Sequence, residues 1–279
     1  MRVCFWGVRG SIPTPGADTS RYGGNTACIT IELSPGATLV LDAGTGIRSF
    51  GDSVPARDHT YYILLSHLHW DHIQGFPMFK PLASDRTRIQ FISHESVAWG
   101  EATASQIDGV HFPVSLSKVP AKIVFDRVGD DSLTRELTPF FDSVSVFASD
   151  HPGGSFGYRF ELGDVSIVYM TDNELPTSDT LASDDSVVQF CSSATYLIHD
   201  AQFLESEMER KKGWGHSDVS SVCRLATLAN VDNLILFHHN PSRTDRELDG
   251  IQVLAEGLLR ANGSSCSCRA ASEGDTFEI

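Results

Sequence analysis

Tyr61-Tyr-Ile-Leu-Leu-Ser-His67-Leu-His69-Trp-Asp71-His72-Ile-Gln-Gly75 is an apolar, β-prone run that ends abruptly in three histidines and one aspartate. If Ser66–His69 stay extended, His67 and His69 point the same way, because side chains alternate across a strand. The turn that follows brings Asp71 and His72 to the same rim. Imidazole nitrogen and carboxylate oxygen are ligands that Zn²⁺, Mn²⁺ and Fe²⁺ accept. The alternative is a polar turn with solvated histidines, but three histidines within six residues is dense even for a chain that has 11. The stretch reads as a strand that delivers a metal site.

The chain around it has ordinary globular composition: 279 residues, 41% hydrophobic and 20% charged. That length allows one large domain or two small ones and a substantial core. No run approaches the ~18 consecutive apolar residues of a membrane span. Met1-Arg-Val-Cys-Phe-Trp6 meets Gly7 too early for a signal peptide. The expectation is a soluble, cytoplasmic protein with no membrane partner. A net charge of −15 argues against a broad face for extended nucleic acid, since such binding rests on Lys and Arg displacing counterions. It leaves room for a small nucleotide in a pocket. Cys4, Cys28, Cys191, Cys223, Cys266 and Cys268 are scattered and fit reduced thiols. Cys266-Ser-Cys268 lacks the second pair that a thiolate metal site needs.

Short β-type runs recur at Val3–Trp6, Cys28–Leu33, Thr38–Leu41, Tyr61–Leu65, Arg88–Ile92, Lys122–Phe125, Val144–Phe147, Gly157–Leu162, Val165–Met170, Tyr196–Ile198 and Leu234–Phe237. Helical patterns cover Ser96–Gln106, Phe203–Lys212, Asp218–Ala229 behind a Ser217 cap, and Asp245–Ala261. In the last of these, Leu248, Ile251, Val253, Leu254, Leu258 and Leu259 approximate one stripe. Thr177–Asp185 and Gly129–Pro139 read as exposed loops, too short to separate domains. The pattern predicts an α/β (α+β) layered fold in a single domain over residues 1–279.

Three later segments repeat the theme of a polar ligand closing an apolar strand: Ser149-Asp-His151-Pro, Tyr169-Met-Thr-Asp172 and Leu234-Ile-Leu-Phe-His238-His239-Asn-Pro241. Alone, His151 beside Pro152-Gly-Gly154 also fits a loop histidine, and Asp172-Asn173 fits a turn. In this order, with His67-x-His69-x-Asp71-His72 before them, they resemble the metallo-β-lactamase superfamily. The likeness is greatest to its phosphodiesterase branch of ribonuclease Z, cyclic-nucleotide phosphodiesterases and the cyclic-phosphate hydrolase of phosphonate breakdown. It runs over nearly the whole chain from Gly7-Val-Arg9-Gly-Ser11, and it implies a four-layer αββα sandwich. It also implies two divalent metal ions, Zn²⁺ foremost, with Mn²⁺ or Fe²⁺ accepted by the same ligands. One ion falls to His67, His69 and His151, the second to Asp71, His72 and His238, with Asp172 bridging. Neighbouring strand positions face opposite ways, so His239 is the alternative to His238.

The same resemblance gives His199-Asp200-Ala-Gln202 and Gly215-His216-Ser217 a catalytic reading. His216 sits beside the leaving-group oxygen, Asp200 orients it, and Asp71 counts among the catalytic groups as well as the ligands. Asp200 stands where the branch has Glu, and Gln202 where it has Thr. By itself His216 fits the start of a helix equally well. Arg9, Arg21 and Asn25, in a first loop rich in turn residues, read either as contacts to substrate phosphate or as structural parts of that turn. Asp42-Ala-Gly44-Thr-Gly46 reads as a turn supporting the metal loop. Trp70, Trp99 and Trp214 read as core aromatics or pocket walls, and His59, His94 and His111 as surface or loop residues.

The implied reaction is attack on phosphorus, by a hydroxide shared between the ions, in a small phosphodiester such as a cyclic nucleotide. His216 then protonates the departing alkoxide. Ribonuclease Z carries a substrate-gripping arm between the ligands corresponding to His151 and Asp172. Only 20 residues intervene here, so tRNA processing by that route is not expected. The alternatives are a hydrolase of lactones, thioesters or other carbonyl substrates, and a metal-bearing sensor without turnover. The resemblance also allows a homodimer.

Overall fold

A computed structural model describes residues 1–55, 57–94, 97–128 and 136–279. The chain forms two compact units. One holds Met1–Pro15, Gly23–Leu133 and Ser272–Ile279, the other Gly16–Tyr22 and Thr134–Ala271. The start of the expected Ser96–Gln106 helix and most of the Gly129–Pro139 loop lie outside the described residues.

The first unit is built on strands β1 (Arg2–Gly7), β2 (Cys28–Ser34), β3 (Ala37–Leu41), β4 (His59–Leu64), β5 (Thr87–His94) and β6 (Lys122–Val128), closed at one edge by β13 (Thr276–Glu278). Among the described residues these make a seven-stranded sheet in the order β13-β1-β2-β3-β4-β5-β6. β1, β2 and β3 pair antiparallel, and β3 to β6 pair parallel. Helices α1 (Gly46–Ser53), α2 (Trp70–Ile73) and α3 (Trp99–Ala104) follow strands. Ile47 and Phe50 of α1 share a core cluster with Val40, Tyr61, Ile63 and Phe79. Leu39, Leu41 and Leu64 alternate with that set along their strands and are also buried. A strand buried on both faces reads as a continuous apolar run, which is why Tyr61–Leu65 looked so apolar.

The second unit places β7 (Ser143–Ser149), β8 (Ser155–Leu162), β9 (Val165–Met170), β10 (Tyr196–Asp200), β11 (Asn233–Phe237) and β12 (Ser267–Ala270) in the order β12-β11-β10-β9-β8-β7. β7, β8 and β9 form an antiparallel meander, and β9 to β12 run parallel. Helices α4 (Ser186–Phe190), α5 (Met208–Lys211), α6 (Val219–Leu228) and α7 (Asp245–Ala261) complete it. Val222, Leu225 and Ala226 of α6 and Leu248, Ala255 and Leu259 of α7 pack in one cluster with Val168, Leu197, Leu234 and Leu236. Two central sheets, each with its own helices, are the composition that the αββα expectation requires.

Several expectations shift in detail. The Phe203–Lys212 helix shrinks to a 3₁₀ turn at Glu205–Glu207 and α5, because Phe203 is drawn into a bridge with Asp218. The cap of α6 is Asp218, not Ser217: its carboxylate accepts from the Ser220 and Ser221 amides at 2.8 and 3.1 Å. In α7, Val253 is 64% exposed and Leu254 is exposed too. The buried stripe is Leu248, Ile251, Ala255 and Leu259, the set that 100° per residue brings to one face. His59 is not a surface histidine; it is buried at the start of β4, accepting or donating to Thr38 Oγ1 at 2.9 Å.

Candidate metal centre

In parallel sheets, sites form at the carboxyl ends of the strands. β4 ends at Leu64, and Leu65–His69 then carry the chain into α2, whose first turn contains Asp71 and His72. The imidazoles of His67 and His69 lie 4.5 Å apart between centroids, and those of His67 and His72 4.3 Å apart. Ser11 at the end of the first loop donates its amide to Asp71 Oδ2 at 2.6 Å. The expected convergence of His67, His69, Asp71 and His72 on one rim is therefore present.

Asp42, directly after β3, organises this rim. Its carboxylate is fully buried and accepts from the Ser66 amide at 2.7 Å, the Ser66 hydroxyl at 2.8 Å and His72 Nδ1 at 2.8 Å. His72 Nδ1 is taken up by Asp42, and its Nε2 lies 3.3 Å from Asp71 Oδ2. Gly44 makes the close packing feasible: a Cβ there would overlap the Asp71 carbonyl oxygen.

In the second unit β7, β9, β10 and β11 all end on the same sheet edge, since two antiparallel steps bring β7 back into the direction of β9. His151 follows β7, Asp172 follows β9, Asp200 closes β10 and His238 follows β11. His238 Nε2 lies 3.3 Å from Asp172 Oδ2, and His151 Nε2 lies 3.7 Å from Asp172 Oδ1. His151 Nδ1 donates to the Gly215 carbonyl at 2.8 Å, which leaves Nε2 as the nitrogen turned to Asp172. Asp172, His216 and His238 each offer a ligand atom, all within 4.8 Å of one another. His239 turns the other way, with Nε2 2.9 Å from the Ala271 carbonyl and its ring edge-on to Tyr22.

His216 Nδ1 is held by Asp200 Oδ2 at 2.8 Å, with Asp200 fully buried and its other oxygen accepting from the Gln202 amide at 2.9 Å. The shorter Asp therefore reaches the histidine. Next to it, burial pushes the His199 imidazole below its ordinary range and keeps it neutral, while its Nδ1 donates to the Asp200 carbonyl at 2.7 Å.

Asp42, Asp172 and His238 have φ of 61, 50 and 57°, in the left-handed region, as does Ser11 at 64°. Such conformations cost energy in non-glycine residues and concentrate at functional sites. Imidazoles and carboxylates whose ligand atoms are turned to one another are a donor set that suits a divalent ion such as Zn²⁺ or Mn²⁺.

The first-loop candidates hold the chain's own groups. Arg9 is fully buried with Nε donating to the Gly23 carbonyl at 2.8 Å. Arg21 grips Asp249 with both terminal nitrogens, at 2.7 and 2.5 Å. Asn25 donates its amide and side chain to Glu273 at 2.6 and 2.9 Å. Sequence reasoning gave Ser66 and Glu174 no role and read Asn173 only as part of a turn. Asn173 accepts from the Asp150 amide at 3.0 Å and from Ser217 Oγ at 2.6 Å, which ties the His151 and His216 loops to Asp172. Its position directly after the bridging candidate was the available signal.

Comparison with known proteins places this geometry. The chain is 34% identical to a protein named ribonuclease Z from Prochlorococcus marinus, over 88% of this chain and 89% of that one. Its fold is similar to that of the metallo-β-lactamase fold protein YhfI of Bacillus subtilis (TM-score 0.67, 19% identity, covering 99% of both chains). It is similar as well to a diphosphatase of the PhnP family (TM-score 0.67, 16% identity, covering 100% of this chain and 97% of that one). The sequence signature described as the β-lactamase superfamily domain matches residues 37–239, and the chain belongs to that family.

Proposed function

We propose that this metal-dependent hydrolase cleaves phosphodiesters in small or cyclic nucleotides. The observation that carries the reading is the His216–Asp200 pair at 2.8 Å, on the same sheet edge as Asp172 and His238. A thioester expels a thiolate that leaves without a proton, whereas an alkoxide leaving phosphorus is a strong base and gains from a proton donor; a lactone also releases an alkoxide, so it is the competing substrate in the test.

The reading takes the family's ligand assignment: His67, His69 and His151 for one ion, Asp71, His72 and His238 for the other, and Asp172 between them. When bound, the ions supply Lewis acidity and a nucleophilic water at neutral pH. The chain's own residues do the rest. Asp42 and the Gly215 carbonyl hold the Nδ1 protons of His72 and His151, so both present Nε2. Asp200 accepts from His216 Nδ1 and fixes its ring. His216 then hands the proton on Nε2 to the departing oxygen. Arg9, Arg21 and Asn25 position the first loop in this reading, through Gly23, Asp249 and Glu273.

A second reading, cleavage of phosphodiesters in RNA, is favoured by the relatives named ribonuclease Z. Against it, the 20 residues between His151 and Asp172 form only the β8–β9 hairpin and its short connections. The test is turnover of 3′,5′-cyclic AMP, an activated aryl diester, a tRNA precursor and an aryl lactone by metal-reloaded protein, wild type and His216→Ala. The reading expects the two small diesters to be cleaved and His216→Ala to lose that turnover while keeping its metal. Preference for the lactone, or for the tRNA precursor, contradicts it. Loss of metal in His216→Ala makes His216 a ligand, as its closeness to Asp172 and His238 also permits.

A further inference from the structure

Trp214 and Lys211 lie outside the ligand set, yet both are held against it. The Glu174 carboxylate accepts from the amides of Gly213 and Gly215, each at 2.8 Å. The Gly215 carbonyl accepts from His151 Nδ1 at 2.8 Å. Both glycines are left-handed, with φ of 82 and 81°, so Trp214 sits on a backbone that other residues resist. Its place relative to His151 and His216 is thereby fixed by hydrogen bonds on both sides of it. In spite of that anchoring the indole is 55% exposed, whereas large aromatics usually gain by burial.

Lys211 adds the second observation. Its Nζ lies 3.7 Å from the centroid of the Trp214 ring and 5.3 Å from that of buried Phe203. An ammonium over two aromatic faces is held by their quadrupoles. Lys211 thus lies over one face of an indole that stays 55% exposed. The result is a flat, rigid aromatic surface backed by a positive charge, two residues from His216, in a chain of net charge −15.

We propose that Trp214 is the stacking platform for the base of a nucleotide substrate, with Lys211 drawing in its phosphate. This deepens the phosphodiesterase reading and rests on it: the substrate class becomes nucleotides of any base. Stacking uses the π-face that every base has, so purines should bind better than pyrimidines by ring area.

The test is equilibrium binding, independent of turnover. Isothermal titration of metal-reloaded protein with AMP, UMP and ribose 5-phosphate isolates the base from the phosphate. Wild type should bind AMP about 5- to 150-fold more tightly than ribose 5-phosphate, the range that one stacked base contributes. Trp214→Ala should erase that ratio while leaving ribose 5-phosphate affinity within about twofold, and Trp214→Phe should retain most of the ratio. Lys211→Gln should weaken all three ligands together. Equal binding of AMP and ribose 5-phosphate by wild type overturns the proposal, as does a Trp214→Ala protein that weakens both alike. Failure of the phosphodiesterase reading would appear instead in the turnover assay.

Discussion

Replacing Asp42 separates two effects that its carboxylate combines. Asp42→Ala strands the Ser66 amide, the Ser66 hydroxyl and His72 Nδ1, now bonded at 2.7, 2.8 and 2.8 Å. The hydroxyl can turn to His67 Nδ1, 3.0 Å away, so two buried donors remain unsatisfied at about 1–3 kcal/mol each. Alanine at φ 61° adds about 1 kcal/mol of backbone strain. The expected loss is about 3–7 kcal/mol in urea unfolding of metal-free protein. Asp42→Asn is different, since Asn tolerates the left-handed region and can still accept from Ser66. Its amide group would then donate to His72 Nδ1 and drive the imidazole proton onto Nε2, the atom needed for metal. That variant should fold with a smaller loss but bind metal about 10- to 100-fold more weakly in chelator competition. Asp42→Asn with metal affinity within twofold of wild type would refute the reasoning, as would a loss below about 1 kcal/mol in Asp42→Ala.

Other perturbations probe the surrounding structure. Gly215→Ala places a Cβ onto His151 Nδ1 and Pro152 at φ 81°; metal content measured by mass spectrometry should fall, and wild-type content would contradict the packing. Burial, aided by Arg57, holds His59 down at about 4 against its ordinary 6.5. The unfolded chain therefore takes up this proton first: the His59 contribution to stability is complete above pH ~6.5 and erodes as pH falls toward 4, by up to about tenfold in the folding equilibrium per pH unit. His59→Phe should remove that slope in urea titrations between pH 7 and 4.5, and an unchanged slope would show that other groups carry it. Burial also raises all six thiols, to about 12 for Cys191 and Cys223 and about 11 for Cys266. A disulfide reagent at pH 8 should leave them unlabelled in native protein and modify six on denaturation, whereas rapid native labelling would place a thiol in a more polar setting.

What could be read from the sequence followed from where the physics is local. Tyr61–Leu65 and Val165–Met170 are apolar runs closed by polar residues, and both became strands followed by His67 and Asp172. The family pattern pointed to His238 and alternation only to opposite facing; the two imidazoles do face apart, to Asp172 and the Ala271 carbonyl, but through a left-handed His238 rather than a continued strand. Helix α1 was invisible because Gly46 and Gly51 interrupt its pattern and only Ile47 and Phe50 mark its face. β12 and β13 are four and three residues long, held by pairing with β11 and β1 rather than by their own composition. Asp42 was legible only as part of a supporting turn, and the partners of Asp42, Asn173 and Glu174 lie 23 to 44 residues away, a distance over which no periodicity carries information. Arg21 could be read either as a phosphate contact or as part of its turn for the same reason: its partner Asp249 is 228 residues distant.

The central claim is a two-ion centre organised by Asp172 and used on phosphodiesters. The most direct measurement counts metal per chain and metal-dependent hydrolysis of 3′,5′-cyclic AMP together, in wild type and Asp172→Ala. The account predicts about two ions and turnover in wild type, with fewer ions and no turnover in the variant. Undiminished turnover in Asp172→Ala, or two ions bound in wild type with no diester cleaved, would contradict it.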